Sequence, residues 1–485
     1  MSKKVGIDTI SFHVPSLYLP IKDLAQARNI EYAKLNKGLG LTHMALCDVN
    51  EDVATMAAEA ALRLIVDNKI DPRSIGRIYM GTESALDAAK PTSTYVMHIL
   101  EQKLAAEFGA RCFKNCDVVD MTFACVGGVD ALLSSRDWVS MGSDRTALVI
   151  AADLAKYDLD STGEYTQGAG AVAMLVKENP RLLTLNAEVG VATESVSDFF
   201  KPRRAHTKQE LLQAAATLIG KQLSADDLKA LLDSSDHDFW GHPESSVEVF
   251  KEEPVFDGPY SNTCYQNRIF EALEHYEKQT GSLDVLADWK HLVFHLPYAF
   301  QGRRMLTEQW VKWIAETEDK QTLEHQLEMS FPDEKSEDWK AFVKAASKTP
   351  LYRSFASERI AKGERASSDI GNMYTASIFM SLVSLLRINF EEGVNVDGDT
   401  VGFFSYGSGS KSKVFTGEIA AEWKEVIAPL NVFETLESRT VVDFSTYEKL
   451  HKRELTEPVV KHKNVYLNKI GTEGTESGFR YYTVS

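Results

Sequence analysis

Apolar residues in this chain gather into short, nearly unbroken runs, separated by alanine- and leucine-rich stretches of helical period. That alternation is expected of a buried sheet covered by helices. Strands are predicted at Val5–Val14, Arg77–Met80, Thr146–Asp153, Gly168–Val176, Leu182–Ala192, Leu292–Phe294 and from Val401 onward. Helices are predicted at Asp52–Leu64 and Thr263–Lys278, and a long apolar helix opens at Gly371–Ser377 and runs through Leu386. Asp117–Leu133 reads as strand, sharp turn and helix. Val118 and Val119 favour extension, Gly127 and Gly128 punctuate it, and Ala131, Leu132 and Leu133 resume as helix formers.

The pattern begins again near Leu182, with echoes of the first half. The turn at Cys125 is matched by the helix start at Asn372, and the Gly168 turn by the Gly407 turn. The chain therefore reads as α/β in two related halves, 1–180 and 181–485. Lys201–Ser235 stands apart as a charged helical hairpin inserted at the surface, with helix formers at Gln209–Ala216 and Asp226–Leu232. The main pattern is expected to return at Asp238-Phe239-Trp240 and Val255–Asn262, and Trp310–Lys348 reads as acidic peripheral helices.

Composition narrows the classes. The 485 residues are 44% hydrophobic and 25% charged, ordinary material for a large globular core. Lys and Arg number 53 against 70 Asp and Glu, a net charge of −17 that argues against nucleic acid or an anionic membrane as partner. Five cysteines are an odd, sparse set, so reduced thiols are expected rather than disulfides. Cys112 and Cys116 lack a second ligand pair, so no metal site is expected. With no apolar leading segment and no run long enough to span a bilayer, a cytoplasmic location is expected.

Cys125 falls near a helix N-terminus, where unpaired N–H groups and the helix dipole favour a thiolate. A free cysteine is equally at home as a small buried hydrophobe. Glu83, in Gly81-Thr82-Glu83-Ser84 at a strand end, is placed to project into a cleft, yet most glutamates are solvated surface acids. His295 ends the Leu292–Phe294 strand with Pro297 fixing the turn, although a lone histidine there is more often structural. Asn372 would ordinarily be a helix cap. The turn Gly407-Ser408-Gly409 could offer backbone N–H groups to an oxyanion. Gly168-Ala169-Gly170 lacks the rest of the dinucleotide fingerprint, which argues against a nicotinamide site.

Six stretches occur in order over nearly the whole chain. They are Gly81–Ser84 with Lys90-Pro91, Ala124-Cys125, Gln167–Ala171, Phe294–Tyr298, Gly371–Thr375 and Ser405–Gly409. Together they resemble the motifs of hydroxymethylglutaryl-CoA synthases. The resemblance implies a thiolase-like fold of two doubly wound α/β halves and a homodimer. It also implies that Cys125 takes an acetyl group from acetyl-CoA as a thioester and that Glu83 removes a proton from the acetyl methyl group. The enolate would attack the ketone of acetoacetyl-CoA, polarised by His295 and Asn372, and water would release the product. Backbone N–H groups of Cys125 and Ser408 would form the oxyanion hole, beside Tyr374 and Gly407 at the substrate. No metal or redox cofactor is implied, since the CoA thioesters are themselves substrates.

Several positions depart from the family pattern. Val126 stands where tyrosine is common, Val129 where threonine is expected, and Phe300 where a lysine meets CoA phosphate. Arg303 and Arg304 lie close enough to take over that contact. Two other readings use the same residues. One is a polyketide β-branching synthase acting on an acyl carrier protein, docked on a rim of Lys34, Lys37, Arg203, Arg204, Arg303 and Arg304. The other is a scaffold subunit of a thiolase complex, which the joint presence of Cys125, Glu83 and His295 argues against.

Overall fold

The computed structural model describes residues 3–233, 246–281, 283–461 and 463–485. The apolar runs assemble into a nine-stranded sheet. In chain order its strands are β1 (Val5–His13), β2 (Ile75–Gly81), β3 (Asp117–Met121), β4 (Thr146–Ala155), β5 (Gly168–Glu178), β6 (Leu183–Thr193), β7 (His291–Phe294), β8 (Thr400–Gly407) and β9 (Lys411–Ile419). Each predicted strand is present within about two residues at either end. Burial on both faces accounts for the absence of alternation in the sequence: every residue from Ala147 to Asp153 is fully buried.

The sheet order is β7-β8-β9-β6-β1-β5-β4-β2-β3, and it contains a repeat. Along β1-β5-β4-β2 the neighbours run antiparallel, antiparallel, parallel. The series β6-β9-β8-β7 repeats those senses. Among the described residues the strands of the two series pair with each other where Gly6 and Ile7 meet Thr184 and Leu183. A Cβ on Gly6 would lie 2.0 Å from the Leu183 carbonyl oxygen, so only glycine permits the join. The halves thus share one sheet, within one compact unit comprising Met1–Asp198 and Asp257–Ser485.

Helices fill the same places in both series. Helix α1 (Val53–Asp67) links β1 to β2, α2 (Thr92–Phe108) follows β2, and α3 (Gly127–Ser140) precedes β4. In the second series α4 (Gly258–Thr280) links β6 to β7, α5 (Gln301–Ala315) follows β7, and α6 (Ala361–Ile370) and α7 (Ser377–Glu391) precede β8. Asp52 starts α1 with a capping box, its carboxylate accepting from Thr55 N–H while the Thr55 hydroxyl accepts from Asp52 N–H. Val129 and Leu132 of α3 and Phe379 and Val383 of α7 share one apolar cluster with Val149 and Phe403, strand residues of both halves. The stretch expected to be peripheral has a core of its own, in which Trp310, Trp339 and Phe342 are buried.

A second compact unit, Phe199–Phe256, contains the predicted insertion and exceeds it at its C-terminal end. Phe199–Phe200 pairs antiparallel with Val255–Phe256, and Arg204–Thr207 with Ser246–Val249. The two expected helices are present at Lys208–Leu218 and Ala225–Asp233, the first capped by Thr207 and Glu210. Asp238-Phe239-Trp240 lies outside the described residues. No helix among the described residues is long and apolar enough to cross a membrane.

Candidate active site

The parallel strands β2, β3 and β4 all end on one edge of the sheet, where an α/β fold presents its ligand-binding crevice. The chain leaving β2 carries Glu83, the chain leaving β3 carries Cys125, and β4 carries Asp153 near its end. Cys125 is buried, and its thiol donates to Glu83 Oε1 at 3.2 Å. The approach is forced by a tight turn in which Val126 N–H donates to Phe123 O and Gly127 N–H to Ala124 O. Ala124 adopts φ 39°, a left-handed conformation that a Cβ disfavours and that the packing around it must hold.

The second half contributes through the equivalent turn. Tyr374 has φ 42° and stands three residues before α7, as Ala124 stands three before α3. Asn372 is buried, and its side-chain oxygen accepts from Tyr374 N–H (2.8 Å) and the Ser377 hydroxyl (3.2 Å). That leaves the carboxamide NH₂ as the part available to a ligand. His295, 1% exposed at the end of β7, is fixed through its backbone: its N–H donates to Phe404 O, and its carbonyl accepts from Tyr265 OH at 2.8 Å. Burial pushes its imidazole pKa down to about 3, partly offset by a hydrogen bond to the Tyr374 backbone. His295 is therefore a neutral imidazole near neutral pH. Burial raises the phenol pKa of Tyr374 and of Tyr157, and the nearby Glu83 and Cys125 add to both shifts.

The Gly407-Ser408-Gly409 turn packs against the Cys125 turn because Gly407 has no side chain. A Cβ there would sit 2.6 Å from Phe123 O and 2.8 Å from Val126 N. Ser408, next along, is half-buried. Asp198, fully buried, holds the turn from behind, accepting from Gly409 N–H (2.8 Å), Tyr406 OH (2.7 Å) and Ser261 OH (2.9 Å).

Asp153 joins the halves. One of its oxygens accepts from Thr82 OH (3.0 Å), Glu83 N–H (2.8 Å) and Ser84 OH (2.9 Å). The other accepts from Thr375 N–H (3.0 Å) and Thr375 OH (2.5 Å). Burial raises its pKa, and the hydrogen bonds from Thr375, Glu83 and Ser84 oppose that shift. Sequence reasoning assigned no role to Asp153, Asp198, Tyr157 or Tyr265. Asp153 carried a signal, a carboxylate closing an apolar run buried on both faces; the others carried none, because their partners are remote in sequence.

The two candidate phosphate contacts divide. Arg303 is paired with the buried Glu364 of α6, and its guanidinium lies 4.2 Å from the Phe300 ring centroid. Arg304 is exposed, 5.6 Å over the Tyr298 ring. Phe300 N–H donates to Leu39 O (3.1 Å), which brings the helix bearing the exposed Lys34 and Lys37 beside the start of α5. Arg203 and Arg204 are exposed within the inserted unit.

Comparison with known proteins covers both halves. Residues 1–180 match the family model described as hydroxymethylglutaryl-coenzyme A synthase N terminal, and residues 226–482 match its C-terminal counterpart. A hydroxymethylglutaryl-CoA synthase of Enterococcus faecalis is 30% identical over 92% of this chain and 90% of its own. A solved structure of MvaS in complex with 3-hydroxy-3-methylglutaryl coenzyme A is 27% identical, with TM-score 0.75 and full coverage of both chains. The curacin-pathway HMG synthase in complex with holo donor-ACP, 20% identical with TM-score 0.71 and full coverage of both chains, shares the fold. The architecture is thiolase-like, and this chain belongs to the hydroxymethylglutaryl-CoA synthase family, whose members are acyl-transferring condensing enzymes.

Proposed function

We propose that the protein condenses acetyl-CoA with acetoacetyl-CoA to 3-hydroxy-3-methylglutaryl-CoA through an acetyl-Cys125 intermediate, as a cytoplasmic enzyme supplying the mevalonate pathway. The observation that carries this reading is the 3.2 Å thiol-to-carboxylate contact between Cys125 and Glu83, with the neutral His295 in contact with the adjoining Tyr374 backbone. Cys125 transfers its proton to Glu83 and attacks the acetyl thioester, while Cys125 and Ser408 N–H groups receive the oxyanion; its collapse expels the CoA thiolate, which takes the proton from Glu83 and leaves as the free thiol, restoring the carboxylate. Glu83 then removes a methyl proton. The resulting enolate adds to the acetoacetyl ketone, whose developing alkoxide His295 and the Asn372 carboxamide stabilise by donation and to which Glu83 passes the proton it removed. Water hydrolyses the enzyme-bound thioester. These residues supply the acid, base and nucleophile, and the reading calls for no metal or redox cofactor.

A homodimer is part of this reading. Strand β3 leads into the Cys125 turn and lies at the end of the sheet, its outer edge unpaired among the described residues, and such an edge favours pairing with a second copy. A second reading, a β-branching synthase working on an acyl carrier protein, is favoured by one observation. Phe300 replaces a phosphate-binding lysine and Arg303 is engaged by Glu364, which leaves Arg304 as the exposed cation of that pair. The overall charge of −17 opposes docking of an acidic carrier. The test is incubation with labelled acetyl donors on CoA and on carrier protein, side by side. Free acetyl-CoA should label Cys125, and Cys125→Ala should abolish both labelling and condensation. A preference for the carrier-bound donor above about tenfold in kcat/KM, roughly 1.4 kcal/mol, would establish the second reading instead. Labelling that survives Cys125→Ala would overturn both.

A further inference from the structure

Strand β9 opens on Lys411, which pairs directly across from Gly407 of β8. Lys411 and Lys413, two residues apart on a strand, project from one face. Both meet Asp130 in the first turn of α3, Lys411 Nζ at 2.5 Å from Oδ2 and Lys413 Nζ at 2.7 Å from Oδ1. The three side chains are 16–18% exposed, so the cluster is largely withdrawn from solvent screening. The Lys411 ammonium also lies 4.1 Å from the centroid of the Phe123 ring, two residues before Cys125. One ionic cluster therefore touches the strand pair that bears Gly407 and Ser408, the helix that follows Cys125, and the residue at the base of the Cys125 turn.

We propose that Asp130, Lys411 and Lys413 are positioning residues that clamp the Gly407–Ser410 turn of the second half onto the Cys125 turn of the first, fixing the oxyanion hole across the two halves. The Gly407 contact with Phe123 and Val126 is close but has no side chain to hold it, and the ionic cluster supplies that hold from the opposite strand. Asp130 is its hub. Without the carboxylate, two ammonium groups on one strand face are left unneutralised beside each other, and their repulsion acts on the turn they flank. The proposal rests on the acyl-transfer reading only for the role of the hole, not for the clamp itself.

Two measurements test it in the full-length protein. Hydrogen exchange needs no substrate: in Asp130→Asn, the amides of residues 407–411 should exchange at least about tenfold faster than in wild type, with other core amides unchanged. Single-turnover acetylation by acetyl-CoA should slow by about tenfold or more, because misplacing a donor weakens it in the transition state. Alkylation of Cys125 by iodoacetamide, which needs no oxyanion hole, should stay within about twofold. Asp130→Glu should recover most of the acetylation rate. The triple variant Asp130→Asn, Lys411→Met, Lys413→Met should be no slower than Asp130→Asn alone, as expected for residues acting as a unit. Unchanged exchange at 407–411 overturns the clamp, whatever acetylation does. Acetylation and alkylation falling together overturn it too, because the cluster would then support the cysteine itself. A wild-type protein that acetyl-CoA does not label overturns the acyl-transfer reading and leaves the exchange result to decide the clamp.

Discussion

Asp153 accepts five hydrogen bonds while fully buried, and Asp153→Asn changes the chemistry of that acceptor without changing its shape. An amide keeps one oxygen. Its best orientation keeps that oxygen toward Thr82, Glu83 and Ser84, which turns the NH₂ into the Thr375 N–H and hydroxyl. The Thr375 N–H loses its charge-assisted bond, about 1.5–3 kcal/mol, whereas the Thr375 hydroxyl can donate to Gly81 O and accept from the NH₂. Removing a desolvated charge offsets part of this, so the net destabilisation should be about 1–3 kcal/mol. Urea unfolding should show it as a lower midpoint at unchanged slope. The Thr375 side is the one released, so the Tyr374 turn should loosen from Glu83, and single-turnover condensation should fall at least about tenfold while iodoacetamide alkylation of Cys125 persists. Burial raises the Asp153 pKa above its unfolded value, so as pH falls the folded wild type takes up a proton before the unfolded chain does and gains stability, whereas the amide does not titrate. The difference between the two proteins should therefore grow as pH falls. A stability change below about 1 kcal/mol at neutral pH, or a difference that shrinks on acidification, would refute the argument.

Two further outcomes are expected. Glu83→Ala should slow condensation by about a hundredfold or more, the scale of losing a general base, while acetyl-Cys125 still accumulates more slowly; near-normal condensation would remove Glu83 from the mechanism. His295 has a folded pKa of about 3 against about 6.5 when unfolded, so below pH 6.5 the unfolded chain takes up a proton that the folded chain refuses. Stability should fall as pH drops from about 6.5 toward 3, and His295→Gln should flatten that fall without removing it, because burial also holds His13 at about 3. Urea midpoints at pH 7 and pH 5 decide it: equal slopes in variant and wild type would show that His295 titrates normally.

The fold was largely legible because it is written in burial. Thr146–Asp153 is apolar throughout because β4 is covered on both faces, and the expected helix at Asp52–Leu64 sits within a residue of its cap. The insertion's helices were legible from composition, whereas its two strand pairs were not, since Arg204–Thr207 is exposed and polar on both faces and carries no periodic signal. Of the candidate site, the motifs singled out Glu83, Cys125, His295 and Asn372. The groups that hold them in place escaped: Asp153 bonds to Thr375, 222 residues away, and Asp198 to Gly409, 211 away. Such pairs exist only after the halves have met, and no local pattern encodes them. Arg303 shows the converse. Its place beside Phe300 suggested a phosphate contact, but Glu364, from a helix 61 residues on, already occupies its guanidinium.

The repeat accounts for how one crevice holds two chemistries. Glu83 and His295 follow equivalent strands, β2 and β7, and Ala124 and Tyr374 occupy equivalent left-handed positions before α3 and α7. The backbone delivers equivalent turns to the crevice in both halves, with Cys125 one residue after Ala124 and Asn372 two before Tyr374, and the residue types decide the rest. In the first half those places carry an acid and a thiol, groups able to bear negative charge and pass a proton between them at 3.2 Å. In the second they carry an imidazole that burial keeps neutral, with a single N–H to donate, and a carboxamide whose oxygen is already bonded, leaving its NH₂ to donate. A charged cation buried there would require its own counterion; a neutral donor does not, and it still stabilises an alkoxide as charge develops. Under the proposed reaction, the half that makes the carbanion is the one that bears charge, and the half that receives it is neutral until the bond forms.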